Sequence, residues 1–216
     1  MNDNNQTFNH RVKQDENTAI AYGSRKRDKH LAEMKLIERG IAYLDSTVDS
    51  MLDAPCGVGR ATILLAEHGY QTTGLDLGRG AVEMTQREVT TAGVTASIVQ
   101  GDLLAMEFAD EQFDGLLCFR LYHHLPDEDL REKLIGELCR VTKKYVLISY
   151  FSPYSVTSIK RELRRKLGLK ISKQHATTLE SIESQFQKQG FRLITDLPQQ
   201  RFIHTLHLAI FERIQG

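Results

Sequence analysis

Short continuous apolar runs alternate along most of the chain with segments whose apolar residues recur at helical spacing. Short apolar runs have the length of buried strands and lie at residues 49–54, 70–76, 96–100, 113–119 and 144–151. The segments that separate the first three runs have helical spacing and close on Gly69 and Gly93, which are typical helix ends. Another helical segment spans residues 127–141. Strands that alternate with helices predict an α/β fold whose parallel sheet has right-handed crossovers.

The amino-terminal part of the chain precedes this alternation. Residues 1–18 are polar and predict a loose arm, so a single domain is expected over residues 19–216. Apolar residues recur at helical spacing from Arg27 to Leu44 and predict a first helix.

The carboxyl-terminal part predicts a change of strand direction. A helix is predicted from Leu179 to Lys188, followed by strands at residues 191–195 and 202–213. Only six residues join these strands, too few for a crossover helix, so the strands should pair antiparallel. We therefore predict a Rossmann-like, mostly parallel seven-stranded sheet flanked by helices, with an antiparallel last strand and a helical insertion after the fifth strand.

Composition narrows the class of protein. The 216 residues include 28 basic and 28 acidic side chains, and this zero net charge argues against non-specific nucleic-acid binding by the whole surface. The three cysteines are odd in number and lack metal-ligand spacing, so we expect reduced thiols and no metal site. We find no signal peptide and no apolar run of about eighteen residues, and we expect a soluble cytoplasmic protein without a membrane span.

Glycine and aspartate residues stand where the predicted strands end. The first strand leads into Asp53, Gly57 and Gly59, the second ends at Asp76, and the third is followed by Asp102. Each acid alone has an ordinary alternative, because aspartate also caps helices and holds turns. The carboxyl ends of parallel strands meet at one edge of the sheet, where such folds bind ligands. The shared position therefore favours a binding site.

The pattern of glycines and acids indicates which class of nucleotide the site would bind. The dinucleotide fingerprint has a third glycine where this chain has Thr62, and no Lys-Ser or Lys-Thr pair follows the second glycine as in a phosphate-binding loop. The aspartates would also repel a pyrophosphate. A ligand with ribose, adenine and a positive centre fits better, which predicts S-adenosylmethionine. A dinucleotide oxidoreductase is the alternative.

Four stretches of the sequence resemble the successive motifs of class I S-adenosylmethionine-dependent methyltransferases. They read "MLDAPCGVGR", "GLDLG", "VQGDLLAM" and "FDGLLCFRLYHHL", and the resemblance runs from about residue 48 to residue 151. The broad group that includes ubiquinone and menaquinone biosynthesis enzymes is the most similar in character. The resemblance implies an enzyme with S-adenosylmethionine as its cofactor and says little about the acceptor.

The resemblance also implies roles for individual residues. The loop from Asp53 to Gly59 would pass under the methionine portion and the ribose, and Asp76 would bind the two ribose hydroxyls. Asp102 would receive the adenine amino group, and the backbone around Phe119 would meet the methionine ammonium. The cofactor-binding residues implied in this way are Asp53, Ala54, Gly57, Gly59, Asp76, Leu77, Gly101, Asp102, Leu103 and Phe119.

The segment before the first helix reads "AYGSRKRDKH" and occupies the place where related enzymes fold over the cofactor. The resemblance implies that Tyr22 and Arg27 close the site, with an arginine paired to the methionine carboxylate. The alternative is the solvated basic start of a helix.

Two adjacent histidines follow the fourth strand, on the rim where the methyl group is expected. If the acceptor is a hydroxyl, a histidine with an ordinary pKa can take its proton, so His124 and His123 are the predicted catalytic residues. The alternative is that a histidine shapes the loop. The flanking residues Arg120 and Tyr122 are predicted to orient the acceptor. Cys56 is predicted to be a packing residue, because nothing near it would lower its pKa.

Residues 152–178 interrupt the alternation and are predicted to form a basic helical lid over the acceptor side. Within them, "SIKRELRRKLGLKISK" places Ile159, Leu163 and Leu167 every four residues, which predicts an amphipathic helix with one basic face. The predicted acceptor-binding residues of this helix are Arg161, Arg164 and Arg165.

The basic face leaves several acceptors open. It suits a phosphorylated glycan or lipid, or a peripheral contact with membrane headgroups, whereas a merely solvated lid would suit a neutral small molecule. RNA is disfavoured, because no aromatic residues interleave the charges. We predict methyl transfer to an oxygen of a small-molecule, lipid or glycan acceptor. A cofactor-binding regulatory or scaffold protein without turnover is the alternative.

Overall fold

A computed structural model describes residues 27–154, 175–200 and 205–214. One seven-stranded sheet runs through the described chain. Its strands in chain order are β1 (Ser50–Asp53), β2 (Gln71–Asp76), β3 (Ala96–Gln100), β4 (Phe113–Cys118), β5 (Thr142–Phe151), β6 (Phe191–Pro198) and β7 (Leu206–Arg213). The α-helices of these residues are α1 (Arg27–Ile41), α2 (Arg60–Glu67), α3 (Arg79–Ala92), α4 (Glu128–Val141) and α5 (Leu179–Lys188).

The strand order is β3-β2-β1-β4-β5-β7-β6. Strands β1 to β5 are parallel, and β7 pairs antiparallel with both β5 and β6. This topology confirms the predicted fold class, including the antiparallel last strand. The predicted arm over residues 1–18 and most of the predicted lid over residues 152–178 lie outside the described residues.

Several element boundaries differ from the predicted ones. Helix α1 ends at Ile41 and not at Leu44, because the N–H of Leu44 bonds the carbonyl of Ile41 and closes a tight turn. Strand β5 begins at Thr142, directly after α4, and the Thr142 hydroxyl donates to the Leu138 carbonyl at 2.7 Å. Strand β6 continues to Pro198, beyond the predicted end at residue 195.

The sheet is covered on both faces because consecutive strand residues point to opposite sides. On one face Met51 and Leu117 pack in a buried cluster with residues of α1 and α2. On the other face Leu52 and Leu116 pack in a second cluster with residues of α4 and α5. Since both faces are buried, ligands have access to the central strands at the carboxyl edge. The strand order reverses there between the neighbouring strands β1 and β4.

Candidate active site

The loop between β1 and α2 carries the two glycines of the first motif. Gly57 and Gly59 have positive φ angles of 60° and 81°, a conformation that favours glycine. A Cβ on Gly59 would lie 2.9 Å from the Thr85 side chain of α3. The loop is also tied to β2, because the N–H of Cys56 donates to the Leu75 carbonyl at 2.8 Å. These constraints keep the loop close to the sheet edge.

The carboxylate of Asp76 joins the end of β2 to this loop. It accepts hydrogen bonds from the N–H of Gly57 and the N–H of Gly78, both at 2.9 Å. A carboxylate oxygen can accept more than one hydrogen bond, so Asp76 can hold the backbone and ligand hydroxyls together. Leu77, beside it, is half-buried.

The turn after β3 places Asp102 on the same edge. Gly101 donates its N–H to the Asp76 carbonyl at 3.0 Å, and the Asp102 side chain accepts from the Leu104 N–H at 2.9 Å. Leu103 is buried next to it. Asp76, the last residue of β2, and Asp102, which follows β3, therefore belong to turns that are joined by a hydrogen bond.

Asp53, at the end of β1, is a buried acid with a perturbed pKa. One of its oxygens accepts from the Thr62 hydroxyl at 2.6 Å, and the other is buried and has no hydrogen-bond partner among the described residues. Burial disfavours the charged form and raises the pKa of Asp53 to about 7. Ala54, the next residue, is completely buried. A cation bound beside the unpaired, buried oxygen would favour the charged form.

The segment after β4 turns sharply above the sheet. Phe119 is buried, and Arg120 has a positive φ of 63° that few non-glycine residues adopt. Two contacts hold Arg120: its N–H donates to the Ser149 hydroxyl at 2.6 Å, and its guanidinium donates to Glu33 of α1 at 2.7 Å. The arginine that we predicted to orient an acceptor is thus anchored to the first helix.

The two histidines lie in a short 3-10 turn that spans Tyr122–His124. His123 is fully buried, and its ring stacks on Phe151 with 3.8 Å between centroids. Tyr122 is also fully buried; its hydroxyl lies 3.4 Å from the Gln185 side chain, and burial raises its pKa to about 12. His124 is half-buried. Of these three side chains, His124 is the least buried.

The remaining predicted residues divide into two groups. Tyr22 and the three arginines of the basic segment lie outside the described residues, and Arg27 begins α1 without a described side chain. Cys56 is buried, and desolvation raises the pKa of its thiol, which agrees with a packing role.

Two charged residues near this edge, Glu33 and Arg60, were not predicted from the sequence. Glu33 is fully buried, and Arg60, the first residue of α2, lies 3.6 Å from its carboxylate. A signal was present: Glu33, Ile37 and Ile41 follow one another at intervals of four residues, so an acid occupies the apolar stripe of α1. A charge on such a stripe indicates a buried partner.

Comparison with known proteins finds a family match in the middle of the chain. Residues 51–145, from β1 into β5, match the family model for a methyltransferase domain. This match covers less than half of the chain, and the strand order of the sheet agrees with the fold of class I methyltransferases. The motif resemblance noted in the sequence is thereby confirmed.

The methyltransferase domain has relatives of related chemistry. It is 29% identical over 93 residues to the ubiquinone biosynthesis O-methyltransferase of Serratia proteamaculans, over 43% of this chain and 37% of that protein. It is 33% identical over 93 residues to the enzyme of the same name from Pseudomonas fluorescens strain Pf0-1, over 40% of each chain. The matched region therefore spans well under half of these relatives.

The fold also agrees with a solved methyltransferase structure. The crystal structure of magnesium protoporphyrin IX methyltransferase from Synechocystis PCC 6803 with bound SAH has a TM-score of 0.71 and 20% identity, covering 85% of this chain and 84% of that one. Within the described segments of the methyltransferase, no helix is long and apolar enough to cross a membrane. The same segments contain no cluster of three or more metal-ligating side chains. That the protein binds no metal stays a prediction.

The raised pKa of Asp53 makes the stability of the methyltransferase depend on pH. The unfolded chain deprotonates near the ordinary value of 3.8, whereas the folded chain keeps the proton until about 7. The protonated form therefore contributes fully to the free energy of unfolding below pH 3.8. This contribution declines as the pH rises toward 7, by at most about 1.4 kcal/mol per pH unit. Asp53→Asn, which carries no charge at any pH, should become more stable relative to wild type across this range.

Urea unfolding at several pH values measures this difference in the free energy of unfolding. Asp129→Asn, at an exposed position of α4, is the matched control and should show no such trend. A difference between Asp53→Asn and wild type that stays constant from pH 4 to pH 7 would contradict the assignment.

Proposed function

We propose that the methyltransferase domain binds S-adenosylmethionine at the carboxyl edge of the sheet and transfers its methyl group to an acceptor. The observation that carries this proposal is the acidic edge formed by Asp53, Asp76 and Asp102, in which one buried Asp53 oxygen has no partner in the described chain. Such an edge repels a pyrophosphate and attracts a cationic nucleoside.

The residues present fit this cofactor along its length. Asp53 and the loop to Gly59 would hold the methionine portion, because glycine lets a backbone approach a ligand closely and the unpaired Asp53 oxygen suits an ammonium group. Asp76 would accept from the ribose hydroxyls, and Asp102 would accept from the adenine amino group. When bound, the cofactor supplies an electrophilic methyl group on a positively charged sulfur.

The chain must also handle the proton of the acceptor. A hydroxyl that attacks a methyl group loses its proton, and a base near pH 7 serves best. Of the two predicted histidines His124 is the half-buried one, whereas His123 is buried against Phe151 and shapes the turn. We therefore assign proton removal to a ring nitrogen of His124. The proposal also includes contact between the backbone at Phe119 and the methionine ammonium.

The acceptor class rests on two observations. The named O-methyltransferase relatives support an oxygen of a small molecule. The basic segment with Arg161, Arg164 and Arg165, outside the described residues, supports an acidic group on the acceptor or its carrier lipid or glycan, because guanidinium groups bind carboxylates and phosphates. We propose an acceptor that combines a hydroxyl with a negative charge.

Removal of the Asp76 carboxylate tests the cofactor site. Asp76→Ala deprives the ribose hydroxyls of a charged acceptor and should weaken binding of S-adenosylhomocysteine by about 1.5 to 3 kcal/mol, measured by calorimetry. Asp129→Ala is the surface control and should bind as wild type does. Unchanged affinity in a folded Asp76→Ala variant would refute the proposed site.

Replacement of His124 tests the catalytic assignment. His124→Ala should lower kcat by about 10²- to 10⁴-fold, because no base then takes the acceptor proton, and should leave cofactor affinity unchanged. Transfer of labelled methyl to a panel of phenols with and without carboxylate groups provides the assay. His68→Ala, exposed after α2, is the control. Wild-type turnover in His124→Ala would exclude His124 as the base.

A further inference from the structure

Hydrogen bonds within the turn after β4 fix the backbone on both sides of His124. The N–H of His124 donates to the Leu121 carbonyl at 2.8 Å. The N–H of Leu125, in the next peptide group, donates to the Tyr122 carbonyl at 3.1 Å. Because each peptide group is planar, fixing the peptides before and after a residue also fixes the direction in which its side chain leaves the backbone. The turn therefore determines where the His124 ring can lie.

A distant segment adds a bond to this turn. The N–H of His175 donates to the His123 carbonyl at 2.9 Å, and the N–H of Thr177 donates to the Phe151 carbonyl at 2.9 Å. The geometry of an extended chain repeats every two residues, so one short stretch reaches both carbonyls. The His123 ring also stacks on Phe151, with an interplanar angle of 11°. Residues 175–177 thus join the turn to the end of β5.

An arginine of α4 holds the other end of the turn. Nη2 of Arg131 donates to the Leu125 carbonyl at 3.0 Å, and this bond is partly shielded from water. The guanidinium carbon lies 5.6 Å from the centroid of the Tyr122 ring, a distance at which a cation is attracted to the face of a tyrosine. The carbonyls of the residues before and after His124 are therefore held by donors from two different parts of the chain.

We propose that His175, through its backbone N–H, and Arg131, through its guanidinium, are positioning residues that hold the His124 ring within reach of the acceptor hydroxyl; this rests on the proposed function. Both act through carbonyl groups of the turn. Proton transfer requires the base within about 2.6 to 3.2 Å of the hydroxyl oxygen, so a small rotation of the turn takes the ring out of reach. Loss of either donor should slow the chemical step and leave cofactor binding unchanged.

The first test measures the turn itself and needs no acceptor. His175→Pro removes the N–H that bonds the His123 carbonyl. It is compared with His175→Ala, because both variants lack the imidazole and differ in this donor. Amide hydrogen exchange, followed by mass spectrometry over residues 121–125, should be about 2- to 12-fold faster in His175→Pro, as expected for the loss of one hydrogen bond. Exchange over α3 should be the same in both variants.

Methyl transfer provides the second readout. With the phenol that wild type methylates fastest, kcat of His175→Pro should be about 10- to 100-fold below that of His175→Ala. KM for this phenol and the affinity for S-adenosylhomocysteine should be equal in the two variants. In a His124→Ala background the same comparison should show no difference in kcat, because the effect passes through the His124 ring. A merely structural role would lower kcat in both backgrounds.

A second proline variant is the matched control. The N–H of Ala176 makes no hydrogen bond to another described residue, so Ala176→Pro should keep the exchange and the kcat of wild type. If His175→Pro does not fold, Arg131→Met removes the other donor and keeps an apolar stem. It should show faster exchange and a lower kcat than Lys133→Met, which alters an exposed residue of the same helix.

Two results would overturn this proposal and leave the proposed function standing. One is equal exchange over residues 121–125 in His175→Pro and His175→Ala. The other is an equal fall in kcat with and without the His124 ring. Wild-type turnover in His124→Ala would instead refute the base assigned under the proposed function, and the positioning role with it.

Discussion

The bonds between the Asp76 carboxylate and the N–H groups of Gly57 and Gly78 are the constraint on which the carboxyl edge depends. They fix the end of β2 against the glycine loop that follows β1, and the Asp76 carbonyl fixes the turn after β3 through Gly101. Three strand ends are thus joined at one residue. Because α/β sheets bind their ligands at this edge, the same contacts that close the fold locally also set the spacing of the groups that meet a cofactor.

Opposite charges are kept apart along that edge. Burial raises the pKa of Asp53 to about 7, whereas Arg60 and Arg120 both lie against the buried carboxylate of Glu33. Each arrangement costs solvation energy that the described residues do not fully recover, since one Asp53 oxygen and Nε of Arg120 lack partners among them. Both are explained if a ligand with separated charges completes them.

The sequence predicted the sheet and the acids well, for a physical reason. The alternation of apolar runs and helical segments determines where parallel strands end, and parallel strands place Asp53, Asp76 and Asp102 on one edge whatever their surroundings. The contacts of Glu33 with Arg60 and Arg120, and the burial of His123, could not be predicted in this way. Glu33 and Arg120 are 87 positions apart, and the stacking of His123 on Phe151 depends on how the turn after β4 packs against β5. Such contacts depend on tertiary packing, and only the acid on the apolar stripe of α1 signalled one of them.

A titration of the same preparation with S-adenosylmethionine and with NAD tests the central claim most directly. Both carry adenosine, but the 5′ carbon of its ribose bears a cationic sulfonium in the first and an anionic pyrophosphate in the second. The acidic edge predicts a dissociation constant for S-adenosylmethionine at least about 100-fold below that for NAD, a difference of about 2.7 kcal/mol. Equal affinity, or tighter binding of NAD, would contradict the account and would favour a dinucleotide site at this edge.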